Sequence, residues 1–299
     1  MSERPDHTAE PSALRKLRGV FDGVAEDYDA ARPGYPLELV DAAIAAGALD
    51  GGSRILEIGS GTGKLTELLV ARGLRVHAIE PGANMTEAAH RRIGESDAVE
   101  FELSTFEAAA IPDGCYDAIF SATAFHWVEP RVGWAKAARA LAPGGLLALL
   151  THIGLEDEDE RSEAMERKLV EILSRYAPTA ARDWNLPLPF ADVMAGARER
   201  SGNVSVAWDW IMSRGRHHMA IAEAAGLFRD VQVAAHVVRA EQTTDQVLAQ
   251  WRTMSLYFMI EEERRPAFEE EFRALIDGFG GTFPFSDGSF LLTARPAAA

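Results

Sequence analysis

The sequence predicts a doubly wound α/β fold with a mainly parallel sheet, and three observations carry that expectation. Between Arg54 and Thr151 short β-rich runs alternate with helical stretches, the arrangement that builds parallel strands from crossover units. The first such run, Arg54 to Ile58, passes directly into glycines at alternate positions, Gly59, Gly61 and Gly63, and then into a helical pattern beginning near Lys64. With 299 residues, 47% of them hydrophobic, the chain can bury a core of the size this fold needs.

Taken in order, Leu14 to Leu49 is Ala-rich and helical. It is interrupted at Arg32-Pro33-Gly34-Tyr35-Pro36, where two prolines and a glycine force a turn. Strands are predicted at Arg54 to Ile58, Arg75 to Glu80, Val99 to Leu103, Tyr116 to Ser121 and Leu146 to Thr151. Helices lie between them near Lys64 to Arg72, Ala83 to Ile93 and Gly133 to Leu141, the last ended by Pro143-Gly144-Gly145. After His152 the rhythm changes to an acidic patch, a helical run Ser162 to Tyr176, and a Pro- and Trp-containing stretch through Trp210 that reads as an insert or cap. Sheet-like alternation returns at Val231 to Val238. Helical stretches follow at Thr244 to Phe258 and Arg264 to Phe279, and a final strand spans Ser289 to Ala294. The resulting division is 1–48, an N-terminal helical segment; 49–154, the core; 155–216, the insert; and 217–299, the rest of the sheet with its helices.

Charge narrows the function. With 46 acidic and 30 basic side chains the formal charge is −16, and no basic stripe is visible, which argues against a nucleic-acid backbone as partner. The single cysteine, Cys115, cannot form an intrachain disulfide, and no Cys/His spacing resembles a metal site. The start is polar and the most apolar stretch, Leu146 to Leu150, is too short to span a bilayer, so a cytoplasmic protein without membrane partners is expected. Oligomeric state stays open.

The glycines allow a tight turn and close approach of a ligand, and the following helix presents free N–H groups. Glu80 ends the next strand, 21 residues past Gly59, near the spacing at which an acidic side chain accepts hydrogen bonds from ribose hydroxyls. A nucleoside-containing cofactor follows. Lys64 stands where the Gly-x-Gly-x-x-Gly fingerprint of dinucleotide enzymes requires its third glycine, which disfavours nicotinamide-dependent oxidoreduction.

The spacing Glu57-x-Gly59-x-Gly61-x-Gly63 instead resembles the class I S-adenosylmethionine (SAM) dependent methyltransferases. Ile79 to Met85 resembles that family's second motif, Ser104 to Glu107 with Ile111-Pro112 its third, Tyr116 to Ser121 its fourth, and Leu141 to Gly145 the loop before the fifth strand. The resemblance implies a Rossmann-like seven-stranded sheet, mostly parallel with the last strand antiparallel. It implies that Glu57, Gly59, Ser60, Gly61 and Gly63 line the methionine end of SAM and that Glu80 holds the ribose. Pro81 and Met85 would lie near the adenine, Thr105 and Phe106 at its edge, and Ser121 and Ala122 beneath the sulfonium. The family's Asp after the third strand is absent, Ser104-Thr105 standing in its place.

Thr123 to Pro130 follows the fourth strand, where open α/β sheets bind ligands. Its His126-Trp127 pair resembles a small-molecule subgroup that includes trans-aconitate methyltransferase-like proteins. His126 is the candidate catalytic base, its ordinary pKa of ~6.5 lying near neutrality, with packing beneath the cap as the alternative role. The segment Phe21 to Pro36 resembles the part of that subgroup that folds over SAM. Tyr28 and Arg32 would thus reach the cofactor, while Tyr35, Trp127 and His218 would line the acceptor pocket. Trp184, Trp208 and Trp210 read as residues that attach the cap. The expected activity is methyl transfer from SAM to a small molecule with an O, N or C nucleophile or a carboxylate, yielding S-adenosylhomocysteine (SAH). The alternative is a SAM-binding regulatory or assembly protein without turnover.

Overall fold

The computed structural model describes residues 21–156, 159–183, 187–215 and 219–297. Residues 14–20 of the expected N-terminal helix, Trp184 and His217-His218 lie outside them.

The chain opens with helices α1 (Ala25–Ala31) and α2 (Leu37–Gly47), separated where the Pro-Gly-Tyr-Pro segment stops the first. The core then runs β1 (Arg54–Ile58), α3 (Lys64–Val70), β2 (Arg75–Glu80), α4 (Ala83–Ile93), β3 (Val99–Leu103), β4 (Tyr116–Ala122), α5 (Pro130–Ala140) and β5 (Leu141–Gly154). The insert contributes α6 (Glu160–Tyr176), α7 (Pro178–Asp183), α8 (Phe190–Glu199) and α9 (Val204–Ser213). The chain ends with β6 (Phe228–Thr243), α10 (Thr244–Trp251), α11 (Ser255–Phe258), α12 (Arg265–Gly278) and β7 (Thr282–Pro296).

One seven-stranded sheet results, in the order β3-β2-β1-β4-β5-β7-β6. β1 to β5 pair in parallel, and β7 lies antiparallel to both β5 and β6. β1, β2 and β3 start and stop where periodicity and turn residues place them. β5 and β7 are longer than expected because pairing carries them past their own β pattern: β5 reaches Gly154 against β7 (Gly154↔Asp287), and β7 begins at Thr282 against β6 (Thr243↔Thr282). The expected helix Thr244 to Phe258 is divided into α10 and α11.

Strand side chains alternate between two apolar layers. Ile55, Phe120 and Leu150 meet Leu39, Val40, Leu65 and Leu69 of α2 and α3 on one face. Leu56, Ile119 and Leu149 meet Phe125, Trp134 and Trp208 on the other. Each such fully buried side chain contributes roughly 1.5–3 kcal/mol. The insert is part of this packing. α8 and α9 complete the second layer, with Trp208 fully buried and the Trp210 indole donating to the Val193 carbonyl at 3.1 Å, while α6 packs on α10 and α12. Among the described residues no helix is long and apolar enough to cross a membrane.

Candidate functional site

Strand order reverses between β1 and β4, and the crevice beyond their C-terminal ends is where a doubly wound sheet binds ligands. The loop after β1 opens with Gly59, held by its N–H to the Ile79 carbonyl at 2.8 Å. Gly59 has φ +72°, and a Cβ there would lie 2.3 Å from the Cβ of Ala124, so only glycine lets this loop rest against the loop after β4. Gly61, at φ +55°, has no protein atom within 4 Å of a built Cβ; its open side leaves room for a ligand to pass the backbone.

Two carboxylates flank that loop. Glu80 accepts from the Gly61 N–H at 2.9 Å through Oε2 and from the Gly82 N–H at 2.8 Å through Oε1. Burial nonetheless raises its pKa, these two N–H groups pulling the other way. Glu57 is 1% exposed. Burial pushes its carboxyl up to about 7, with the negative charge of Glu80 adding to the effect. Glu57 Oε2 and the Ser60 hydroxyl oxygen are buried without a hydrogen-bond partner among the described residues. An orphaned acceptor and an orphaned hydroxyl on residues that line one cavity suit a ligand end that carries both a cation and an anion.

The N-terminal segment is tied across this crevice by two aspartates. Asp22 Oδ1 accepts from the N–H groups of Asn84 (2.7 Å) and Met85 (3.1 Å), capping α4, whose own N-cap, Gly82, has no side chain to do so. Both Asp29 carboxylate oxygens accept from Arg92 Nη2 at 2.7 Å, and Oδ1 also accepts from the Thr62 hydroxyl at 2.7 Å. Burial would raise the Asp29 pKa, but Thr62 and Arg92 together hold it below the usual carboxylate range. Lys64 Nζ donates to the carbonyls of Asp29 and Arg32 at the end of α1, and Arg32 Nη2 donates to the Thr253 carbonyl at 2.9 Å. The loop after β3 is fixed by Lys136, whose ammonium donates to the carbonyls of Phe106 and Ala109 and lies 5.0 Å from the Phe106 ring centroid.

These elements enclose a cavity of about 780 Å³. Of the residues expected at the cofactor, Tyr28, Arg32, Glu57, Gly59, Ser60, Gly61, Glu80, Pro81, Met85, Thr105, Phe106 and Ala122 line it, as do Tyr35, His126 and Trp127 from the expected acceptor pocket. Gly63 does not line it; it is the N-cap of α3 and packs against Ala89 of α4. Ser121 is a correction. Its side chain is fully buried between strands, where the hydroxyl donates to the Ile58 carbonyl at 2.8 Å and ties β4 to β1. His218 lies outside the described residues. His126 occupies a single 3-10 turn (Phe125–Trp127), its ring centroid 4.7 Å from that of Trp127.

Sequence reading missed His152 and Asp287, which also line the cavity, His152 Nδ1 lying 3.1 Å from Asp287 Oδ2. His152 had a signal, its place at the C-terminal end of a predicted strand. Asp287 had none, because its approach depends on the register of the antiparallel β7. Among the described residues no group of three or more His, Cys, Asp or Glu side chains could hold a metal ion.

A family model described as a methyltransferase domain matches residues 56–149. An uncharacterized methyltransferase of Mycobacterium bovis is 36% identical over 173 residues, 58% of this chain and 66% of that protein. The chain thus spans just under two thirds of that relative's length. The ubiquinone biosynthesis O-methyltransferase of Methylocella silvestris is 30% identical over 49% of this chain and 57% of its own. Among solved structures, a presumed type II methyltransferase from Anaeromyxobacter dehalogenans superposes with a TM-score of 0.56 at 19% identity, covering 89% of this chain and 97% of that one, a likeness of fold. Motif series, strand order and family match agree: residues 56–149 match a methyltransferase domain, and the sheet has the strand order of the Rossmann-like methyltransferase fold.

Proposed function

We propose that the protein binds SAM in this cavity and transfers its methyl group to a small-molecule acceptor, releasing SAH. The observation that carries the reading is that the Glu57 and Glu80 carboxylates and the open side of Gly61 line one cavity at the strand-order reversal. The orphaned Glu57 Oε2 and Ser60 hydroxyl fit the amino-acid end of SAM, and Glu80 fits the ribose hydroxyls. When bound, SAM supplies an electrophilic methyl carbon on a sulfonium, so activation is the cofactor's own. What the chain supplies is alignment of the acceptor and exclusion of water, the work of the N-terminal segment tied by Asp22 and Asp29 and of the insert.

The same cavity continues past the cofactor end to His126, Trp127, Leu169, Trp251 and Phe283, a largely apolar wall with room for a second molecule. This continuation favours an enzyme over a SAM-binding protein without turnover. The −16 charge favours a small molecule over nucleic acid. Incubating the full chain with SAM and a panel of small acids, phenols, alcohols and amines, with SAH as readout, tests the proposal. Acceptor-dependent SAH formation supports it. SAH binding without turnover on any member returns the chain to the binding-protein alternative.

A further inference from the structure

Resting on that reading, we infer that His152 Nε2, oriented by Asp287, is the base that takes the proton from the methyl acceptor. His152 lies on β5 two residues beyond Leu150, the register partner of Ala122 at the end of β4. It therefore stands at the C-terminal edge of the sheet, in the wall of the cavity that holds Glu57 and Glu80. Its ring is anchored on one side only. Nδ1 is 3.1 Å from Asp287 Oδ2 and 3.0 Å from the Ser289 hydroxyl, both on β7, and the ring stacks on Tyr35 at 5.0 Å between centroids. Tyr35 is itself fixed, its hydroxyl donating to Thr123 Oγ1 at 3.1 Å.

An ionised carboxylate can only accept, so the Asp287 contact places the ring hydrogen on Nδ1 and leaves the lone pair on Nε2. That nitrogen is buried with no hydrogen-bond partner among the described residues. A buried acceptor left unmet costs about 1–3 kcal/mol, a cost that a donor on an incoming acceptor molecule would relieve. A carboxylate fixing one imidazole nitrogen while the other is bare is the arrangement a general base requires. Among the described residues, the titratable groups shown against the ring are Asp287 from β7 and Tyr35 from the segment before α2.

The acceptor this implies is one whose nucleophile carries a proton at working pH, a hydroxyl or an ammonium, rather than a free carboxylate. From a hydroxyl, His152 Nε2 takes the proton as the oxygen bonds to the methyl carbon; from an ammonium it takes the proton first, which frees the nitrogen lone pair that then bonds to the methyl carbon. The carbon–sulfur bond breaks with its electron pair remaining on sulfur, SAH leaves neutral at sulfur, and the imidazolium, paired with Asp287, returns the proton to water.

Two readouts on the full chain test this. In protein carrying 15N-histidine and saturated with SAH, long-range proton–nitrogen spectra at pH 8 should give His152, assigned by its loss in His152→Gln, as the Nδ1–H tautomer. Asp287→Asn, whose amide donates to Nδ1, should convert it to the Nε2–H form. An Nε2–H tautomer in the unmodified chain, or no conversion in Asp287→Asn, overturns the inference. With any panel acceptor that turns over, His152→Gln and Asp287→Asn should each lower kcat at least ~100-fold and abolish the acidic limb of the kcat–pH profile, with SAH affinity within about threefold. An unchanged limb also overturns it. Circular dichroism verifies folding, and should His152→Gln fail there, Asp287→Asn carries both readouts. Failure of the unmodified chain to bind SAH is a separate result, which sinks the methyltransferase reading and the base with it.

Discussion

Glu80 Oε2 accepts a hydrogen bond from the backbone N–H of Gly61 at 2.9 Å, so the carboxylate that ends β2 and the glycine loop that follows β1 form one unit. Each positions the other before any ligand arrives. Replacing Glu80 with Gln keeps an acceptor for Gly61 but removes the charge. A hydrogen bond to a charged group is worth about 1.5–3 kcal/mol, so SAH affinity should fall roughly 10–100-fold by isothermal titration calorimetry.

The two loop glycines should separate stability from binding. Gly59→Ala adds a Cβ that meets Ala124 at 2.3 Å and forces alanine to φ +72°, so thermal unfolding should shift down by several degrees. Gly61→Ala meets no protein atom and costs only the left-handed backbone, about 1 kcal/mol. Its methyl group enters the cavity, so SAH binding should be largely lost while the melting temperature changes little.

Glu57 makes the pH dependence specific. Its folded pKa of about 7 exceeds the ordinary 4.5, so the ligand-free protein gains stability from the neutral carboxyl at low pH and loses that contribution as pH rises through 7. A cationic amino group beside it favours the carboxylate, so binding below pH 7 releases a proton. SAH affinity should therefore rise between pH 5 and 7, then flatten once the Glu57 carboxyl is ionised in the ligand-free protein as well. Calorimetry at pH 6 in two buffers of different ionisation enthalpy reads the released proton; affinity that is flat across this range counts against the assignment. Glu57→Gln should raise the apo melting temperature at pH 8 by a few degrees and weaken SAH binding more than tenfold.

Lys136 holds the loop after β3 through the carbonyls of Phe106 and Ala109. Lys136→Met removes a charged donor and leaves those carbonyls unmet. Hydrogen exchange at 105–109 should accelerate at least tenfold, with SAH affinity reduced severalfold through the adenine edge.

Most of the Glu57–Glu80 end of the cavity was legible because its signals are local. Glu57, Gly59, Gly61 and Glu80 sit on two adjacent strand–turn–helix units whose spacing alone brings them together. Ser121 was misread because a strand-end hydroxyl looks the same in sequence whether it faces a ligand or, as here, a neighbouring strand's carbonyl. The acceptor side was less legible. His152 and Asp287 are 135 positions apart and meet only through the β5–β7 register, and the length of both strands exceeds what their own residues prescribe. Asp22 caps a helix 61 residues ahead of it, a contact that no local cap pattern announces.

We propose the crevice between β1 and β4 as a SAM site. Calorimetric titration of the full chain with SAH and, separately, with NAD tests it most directly. The expected result is one SAH per chain, weakened at least tenfold in Glu80→Gln, and no binding of NAD. Binding of NAD with no heat from SAH would contradict it.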